Sequence, residues 1–192
     1  MRASRPVRSD GCGRADRRVI AETDRLTLRP LCDDDAPFIL ALLNDPSFVE
    51  FIGDKGVRTI EDALEYIRTG ARDGYARRAL FLAARKADGA PVGMCSLVKR
   101  AGLDAVDIGF AMLSPYRGCG YATEAAAWTM SRARQVDGAE RLLAITTPGN
   151  VASARVLGKL GFRFIRRIRL KPDAEELQLF ESTGGSAAGA RE

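Results

Sequence analysis

The segment Leu113-Ser-Pro-Tyr-Arg-Gly-Cys-Gly-Tyr-Ala-Thr-Glu124 constrains this chain more than any other. A strand, Ala105 to Leu113, runs through a turn holding Gly118 and Gly120 straight into Tyr121 to Val136, which has no Gly or Pro and many helix formers. The junction has a chemical bias as well as a structural one. Glycines adopt backbone dihedrals closed to other residues and let successive N–H groups approach a ligand. The helix start adds unsatisfied donors and a partial positive charge, together favouring an anion by about 0.3 to 2 kcal/mol. Arg117 offers a charge-assisted hydrogen bond to a phosphate oxygen, and Ala122 keeps the first helical turn uncrowded. Two common phosphate loops do not fit. The lysine of G-x-x-x-x-G-K-[ST] is missing, and the third glycine of G-x-G-x-x-G would fall at Thr123. A nucleoside triphosphate is therefore not expected. By spacing alone, a plain tight turn remains an equal reading.

The flanking sequence supplies the rest of a layered α/β domain. Residues 25 to 31 alternate apolar and polar, as a half-buried strand does. Asp33, Asp34 and Asp35 precede Ala36 to Leu43, a short helix on an acidic cap that ends before Pro46. Thr59-Ile-Glu-Asp62 resembles a capping box ahead of a helix striped by Ile60, Leu64 and Ile67. Ala79 to Arg85 and Val92 to Lys99 flank Asp88-Gly89 as a hairpin. After the long helix come a strand (Arg141 to Thr147), a helix (Val151 to Leu160) stopped by Gly161, and strands over Phe162 to Leu170 and near Leu177 to Phe180. One domain is expected over residues 19 to 181, between a basic disordered leader (1 to 18) and a flexible Gly/Ser/Ala tail (182 to 192).

Charge and composition narrow the chemistry. The formal charge is +5, but residues 1 to 18 hold six Arg and two Asp, leaving 24 basic and 23 acidic residues in the remainder. The leader has no aromatic residue to stack on bases, so nucleic acid is not an expected partner. It lacks the apolar segment of a secretory signal, and no apolar run approaches the ~20 residues of a membrane span. A cytoplasmic protein without a membrane partner is expected. Cys12, Cys32, Cys95 and Cys119 form no C-x-x-C pair, which predicts free thiols and no metal site. There is no histidine, which removes Ser-His, Cys-His and His-metal mechanisms. Proton transfer falls to carboxylates, Tyr, Cys, Lys, a terminal amine or water.

Arg117-Gly-Cys-Gly-Tyr-Ala122 resembles the acetyl-CoA pyrophosphate loop of the GNAT superfamily, written [QR]-x-x-G-x-[GA]. Asn150-Val-Ala-Ser153-Ala-Arg155-Val-Leu-Gly-Lys159-Leu-Gly161-Phe162 is similar to that family's coenzyme-contacting fourth helix. The opening Thr-Asp-Arg-Leu-Thr-Leu-Arg-Pro, Ile108-Gly109-Phe110 and the Asn-x-x-Ser spacing look most like the branch that acetylates N-terminal alanine of ribosomal proteins. The resemblance implies a mixed, mostly antiparallel sheet of six to seven strands flanked by about four helices. It also implies acetyl-CoA as co-substrate, an amine acceptor (a peptide N-terminus or a small molecule), and leaves room for a homodimer.

Site roles follow from the same likeness. Arg117, Gly118, Cys119, Gly120, Tyr121 and Ala122 would hold the pyrophosphate, while Asn150 and Ser153 would contact the coenzyme arm. The strand Phe110, Ala111, Met112, Leu113 would hydrogen-bond pantetheine like an added strand, with an N–H near Phe110 or Ala111 stabilising the tetrahedral oxyanion. Asp107 stands where many relatives have a Glu base, although an exposed strand-end acid is the readier reading; Glu50 and Glu124 are further candidates. Ser153 could donate a hydrogen bond to the departing thiolate or be a plain helix-surface serine, and the Tyr acid of many relatives is replaced by Leu157. The loops Asn44 to Arg58 and Tyr75 to Arg78 offer Asp45, Phe48, Glu50, Phe51 and Asp54, which could line an acceptor groove or cover the core. A binding-only acyl-CoA sensor and an enzyme for small-molecule amines remain alternatives.

Overall fold

The computed structural model describes residues 18–69 and 77–183; residues 1–17 of the expected leader, Tyr75 and Ala76 of the second loop, and the tail beyond Thr183 lie outside the described residues. Among the described residues eight strands form one sheet in the order β1-β2-β3-β4-β5-β6-β8-β7. They are β1 (Ala21–Glu22), β2 (Leu26–Pro30), β3 (Arg77–Arg85), β4 (Pro91–Lys99), β5 (Val106–Met112), β6 (Arg141–Thr146), β7 (Arg163–Ile168) and β8 (Leu177–Thr183). The helices among the described residues are α1 (Ala36–Leu43), α2 (Pro46–Ile52), α3 (Ile60–Thr69), α4 (Tyr121–Asp137) and α5 (Val151–Lys159). None of them is long and apolar enough to cross a membrane.

Strand periodicity decides which helix covers which face. Along β3, Phe81 and Ala83 point toward α4, while Leu82 and Ala84 join Met94 of β4 under α1, α2 and α3. On the first face α4 presents Ala125, Ala126 and Ala133, all fully buried, so its backbone lies close to the sheet. Thr129 is also fully buried, and its hydroxyl is satisfied by donating to the Ala125 carbonyl at 2.9 Å. All strand pairings are antiparallel except β5 with β6, which run parallel because α4 provides the crossover between them.

The local signals act as their chemistry requires. Thr59 and Asp62 form a reciprocal capping box, each side chain accepting the other's N–H at 3.1 Å. Asn150 caps α5, its Oδ1 accepting the Ser153 N–H at 3.0 Å. The sheet has two to one more strands than the sequence suggests and the structure one more helix. The extra strand, β1, is a two-residue pairing on β2. The extra helix, α2, begins at the proline read as a stop. Asp45 caps it by accepting the Ser47 N–H at 3.1 Å, and Pro46 sits at its first position, where a missing N–H costs nothing.

Leu142, fully buried on β6 against α4, carries a large share of this packing. Leu142→Ala is expected to lose about 2–5 kcal/mol of stability, read as a lower urea midpoint with an unchanged m-value.

Candidate functional site

The site begins where two strands part. β5 and β6 pair only at Val106 with Leu142 and Asp107 with Leu143, whereas β5 stays paired to β4 as far as Met112. The Leu113 N–H donates to the Val92 carbonyl at 3.0 Å. By the alternation of an antiparallel pair, Gly109, Ala111 and Leu113 therefore direct their backbone groups at β4, and Phe110 and Met112 direct theirs into the gap. The Met112 carbonyl accepts from Arg117 Nε at 3.0 Å. Phe110 thus presents both its N–H and its C=O to the opening.

That opening is a cleft of about 370 Å³ between the β5 edge, the start of α4 and one face of α5, within the usual range for small-molecule sites. Phe110, Ala111, Met112, Arg117, Gly118, Gly120, Tyr121, Ala122, Asn150 and Ser153 line it, while Leu113 and Cys119 do not. Leu113 packs instead on the core beneath α1 and α2. Arg155 and Lys159, one turn apart on α5, add two cations to the far wall. Gly118 and Gly120 have φ of 74° and 83°, left-handed values that favour glycine. Gly120 also occupies the N-cap of α4 without a side-chain cap, which leaves the opening N–H donors of that helix available.

The Arg117 guanidinium does not stand alone in this turn. Its Nη2 donates to Asp45 Oδ1 at 2.6 Å, and Asp45 also accepts from Ser114 Oγ at 2.7 Å, Ser114 N at 3.2 Å and Ser47 Oγ at 3.1 Å. Burial would raise the Asp45 carboxyl, but the bonds from Arg117, Ser114 and Ser47 outweigh it and hold the group well below the carboxylate range. Asp45 therefore joins α2 to the turn. α2 in turn places Phe48 and Ile52 over the cleft. Glu50 is exposed and lines neither cavity, Asp54 pairs with Arg58, and Glu124 is bound to Thr23 and Arg25.

A second cavity, of about 120 Å³, meets the first at Phe48, Ile52, Phe110, Ala111, Asn150 and Ser153. Asp107 lies in its wall. The residue is 1% exposed, forms an ion pair with Arg100 through Oδ2, and leaves Oδ1 without a partner. Burial pushes its pKa up to about 6, with the Arg100 charge and hydrogen bond pulling in the opposite direction. The reading of Asp107 as an exposed strand-end acid does not hold, because β4 and β6 enclose it from both sides. Ser153 lies at the junction of the two cavities, and its hydroxyl has no hydrogen bond among the described residues. No cluster of three or more metal-ligating side chains occurs among the described residues.

The profile described as "Acetyltransferase (GNAT) domain" matches residues 25–163. The chain belongs to the GNAT acetyltransferase family. It is 30% identical to the Bacillus subtilis protein YkkB over 152 residues, covering 77% of this chain and 87% of that one. It is 28% identical to the N-acetyltransferase YoaA of the same organism, covering 75% and 82%. Its fold is shared with a GNAT-family acetyltransferase from Bacillus anthracis, with TM-score 0.71, 23% identity and coverage of 86% and 98%. It is also shared with RimL, a ribosomal L7/L12 alpha-N-protein acetyltransferase solved with coenzyme A, with TM-score 0.72, 16% identity and coverage of 86% and 98%. Mycobacterium smegmatis RimJ, in complex with a CoA-disulfide, superposes with TM-score 0.70, 24% identity and coverage of 86% and 85%. This GNAT protein is accordingly an acetyl-CoA-dependent N-acetyltransferase. The cleft fits that co-substrate: an open strand edge, two left-handed glycines and uncapped helix donors converge on it.

The raised Asp107 pKa has a consequence for folding. The native state holds this proton more tightly than the unfolded chain, so its contribution to stability falls as pH rises from 3.8 to about 6 and is flat above. In parallel urea titrations, Asp107→Asn should gain on the wild type across that window. A constant offset between the two would show that Asp107 titrates normally.

Proposed function

We propose that this GNAT enzyme acetylates a primary α-amine, that of a protein or peptide N-terminus, with Asp107 accepting the amine proton. The observation that carries the reading is the unpartnered, buried Asp107 Oδ1 in a small cavity that opens onto the coenzyme cleft. A carboxylate of pKa about 6 is ionised at neutral pH and still basic enough to work. An α-amine, with pKa near ~7.7–8.0, lies about two units above it, whereas a lysine near ~10.4 would cost roughly 3.4 kcal/mol more to deprotonate.

The cavity supports the same class of acceptor. Phe48, Ile52 and Tyr66 make part of its wall apolar, suited to a small first side chain, and its size admits little more than the amine and that group.

Acetyl-CoA supplies the acetyl thioester. The Phe110 C=O and N–H, the turn from Gly118 to Ala122 and the Asn150 side chain are positioned to hold and orient it, with Arg117 bracing the turn through Asp45. The Phe110 N–H is the donor for the thioester oxygen, since the Ala111 N–H is directed at β4. As the amine nitrogen bonds the acetyl carbon, its proton passes to Asp107 and the C–S bond breaks. Ser153 then donates a hydrogen bond to the departing sulfur.

Mass spectrometry of reactions with acetyl-CoA and a mixture of free-N-terminus peptides, lysine-only peptides and polyamines tests the acceptor. A single acetyl gain on α-amines is expected; labelling confined to lysines or polyamines overturns the assignment. With the α-amine substrate, kcat/KM should rise through about pH 6 as Asp107 ionises. Asp107→Asn should lower kcat by about 10²–10⁴-fold and remove that limb from the pH profile.

A further inference from the structure

We propose that Arg25 is a positioning residue for coenzyme binding, setting the plane of the Cys119–Gly120 peptide so that the Gly120 N–H faces the cleft. This rests on the reading of that cleft as the acetyl-CoA site.

Arg25 immediately precedes β2, far from the cleft in sequence, yet it is anchored on every side. Its Nη1 donates to the Cys119 carbonyl at 2.8 Å. Its Nε donates to Glu124 Oε2 at 2.8 Å, with Nη2 at 2.7 Å from the same oxygen. The guanidinium carbon stands 4.7 Å from the centre of the Tyr121 ring, a cation–π distance. Glu124, in the first turn of α4, is fixed in turn. Its Oε1 accepts from Thr23 Oγ1 at 2.6 Å and from the Arg25 N–H at 2.8 Å. Burial would raise the Glu124 carboxyl, but the bonds from Thr23 and Arg25 prevail and keep it ionised below the usual range. The pair carries no net charge, so what it contributes to the turn is orientation.

A trans peptide is planar, with its C=O and N–H on opposite sides. Because the Cys119 carbonyl points at Arg25, the Gly120 N–H points the other way, toward the wall that Gly118, Gly120, Tyr121 and Ala122 form. Without that bond little would hold this plane. Of the two bonds about which this plane turns, the one at Gly120 belongs to a residue of positive φ without a side chain, to which either orientation is open. The flipped peptide would present a carbonyl oxygen to an anion in place of a donor. Gly120 completes the arrangement, since a Cβ there would lie 3.1 Å from Arg25 Nη2.

The test is calorimetric titration of the full chain with CoA, together with the amide NMR signal of Gly120. In the wild type, CoA should bind and move the Gly120 amide resonance downfield. Arg25→Ala should weaken CoA binding by about tenfold, the worth of one lost charged hydrogen bond, and should abolish the downfield shift. In the double variant Arg25→Ala/Glu124→Gln, which like the intact pair carries no net charge, the dependence of binding on salt should be unchanged. Arg25→Lys, which keeps the charge without the fork, guards against a folding defect and should restore binding only in part. Adding Glu124→Gln to Arg25→Ala should cost nothing further. Wild-type CoA affinity and an unaltered Gly120 shift in a folded Arg25 variant would overturn the proposal while leaving the cleft assignment intact. Failure of the wild type to bind CoA would overturn both.

Discussion

The parting of β5 from β6 is the constraint on which the rest of the site depends. A continuous sheet would satisfy the backbone groups of Phe110 within the protein and leave no gap between the strands. Separation after only two paired residues does three things together. It exposes a strand edge inside the domain, brings the α4 and α5 starts to face one another across it, and leaves Asp107 at the closed end of the wedge, where water is scarce. The fold keeps the wedge open by packing: Ile108, Leu142 and Leu157 fill its base from both strands and from α5.

Two carboxylates, one buried and one partly so, tie the rim of this wedge to the rest of the domain. Asp45 gathers Arg117, Ser114 and Ser47, joining the turn to α2, while Glu124 gathers Thr23 and Arg25, joining α4 to the sheet's first strands. Each is fully engaged, so the cost of burying the charge is offset by charge-assisted bonds. Asp107 has one oxygen paired and one bare, and its environment lifts its pKa where the other two are lowered. Three carboxylates in one domain thus differ in their hold on a proton because their surroundings differ.

Much of this was legible in the chain itself. The glycine turn, the α4 helix, the Thr59–Asp62 capping box and the alternation of most strands follow from local chemistry, and local chemistry is what a sequence displays. The missed features are those that only distant pairing creates. Proline 46 reads as a stop until Asp45 is known to cap the following turn, and β1 exists only because β2 offers it an edge. The burial of Asp107 comes from Val98 and Leu143 on either side. Arg25 looks like an ordinary polar position in an alternating strand, and its partner lies 99 residues away. Arg117 reads as a phosphate cation until Asp45 is seen beside it.

Phe110 and the glycine turn approach the cleft with main-chain atoms, which every residue possesses. A wall built of such atoms demands a backbone path and, outside the two left-handed glycines, makes few demands on identity. Mutations can therefore accumulate along it without removing a single donor, and the chemistry drifts only at the few side chains that reach inward. That economy explains how a fold can be held at a TM-score of 0.72 while identity falls to 16%. In such an architecture the backbone path around the gap between two strands can persist after the letters that line it have changed.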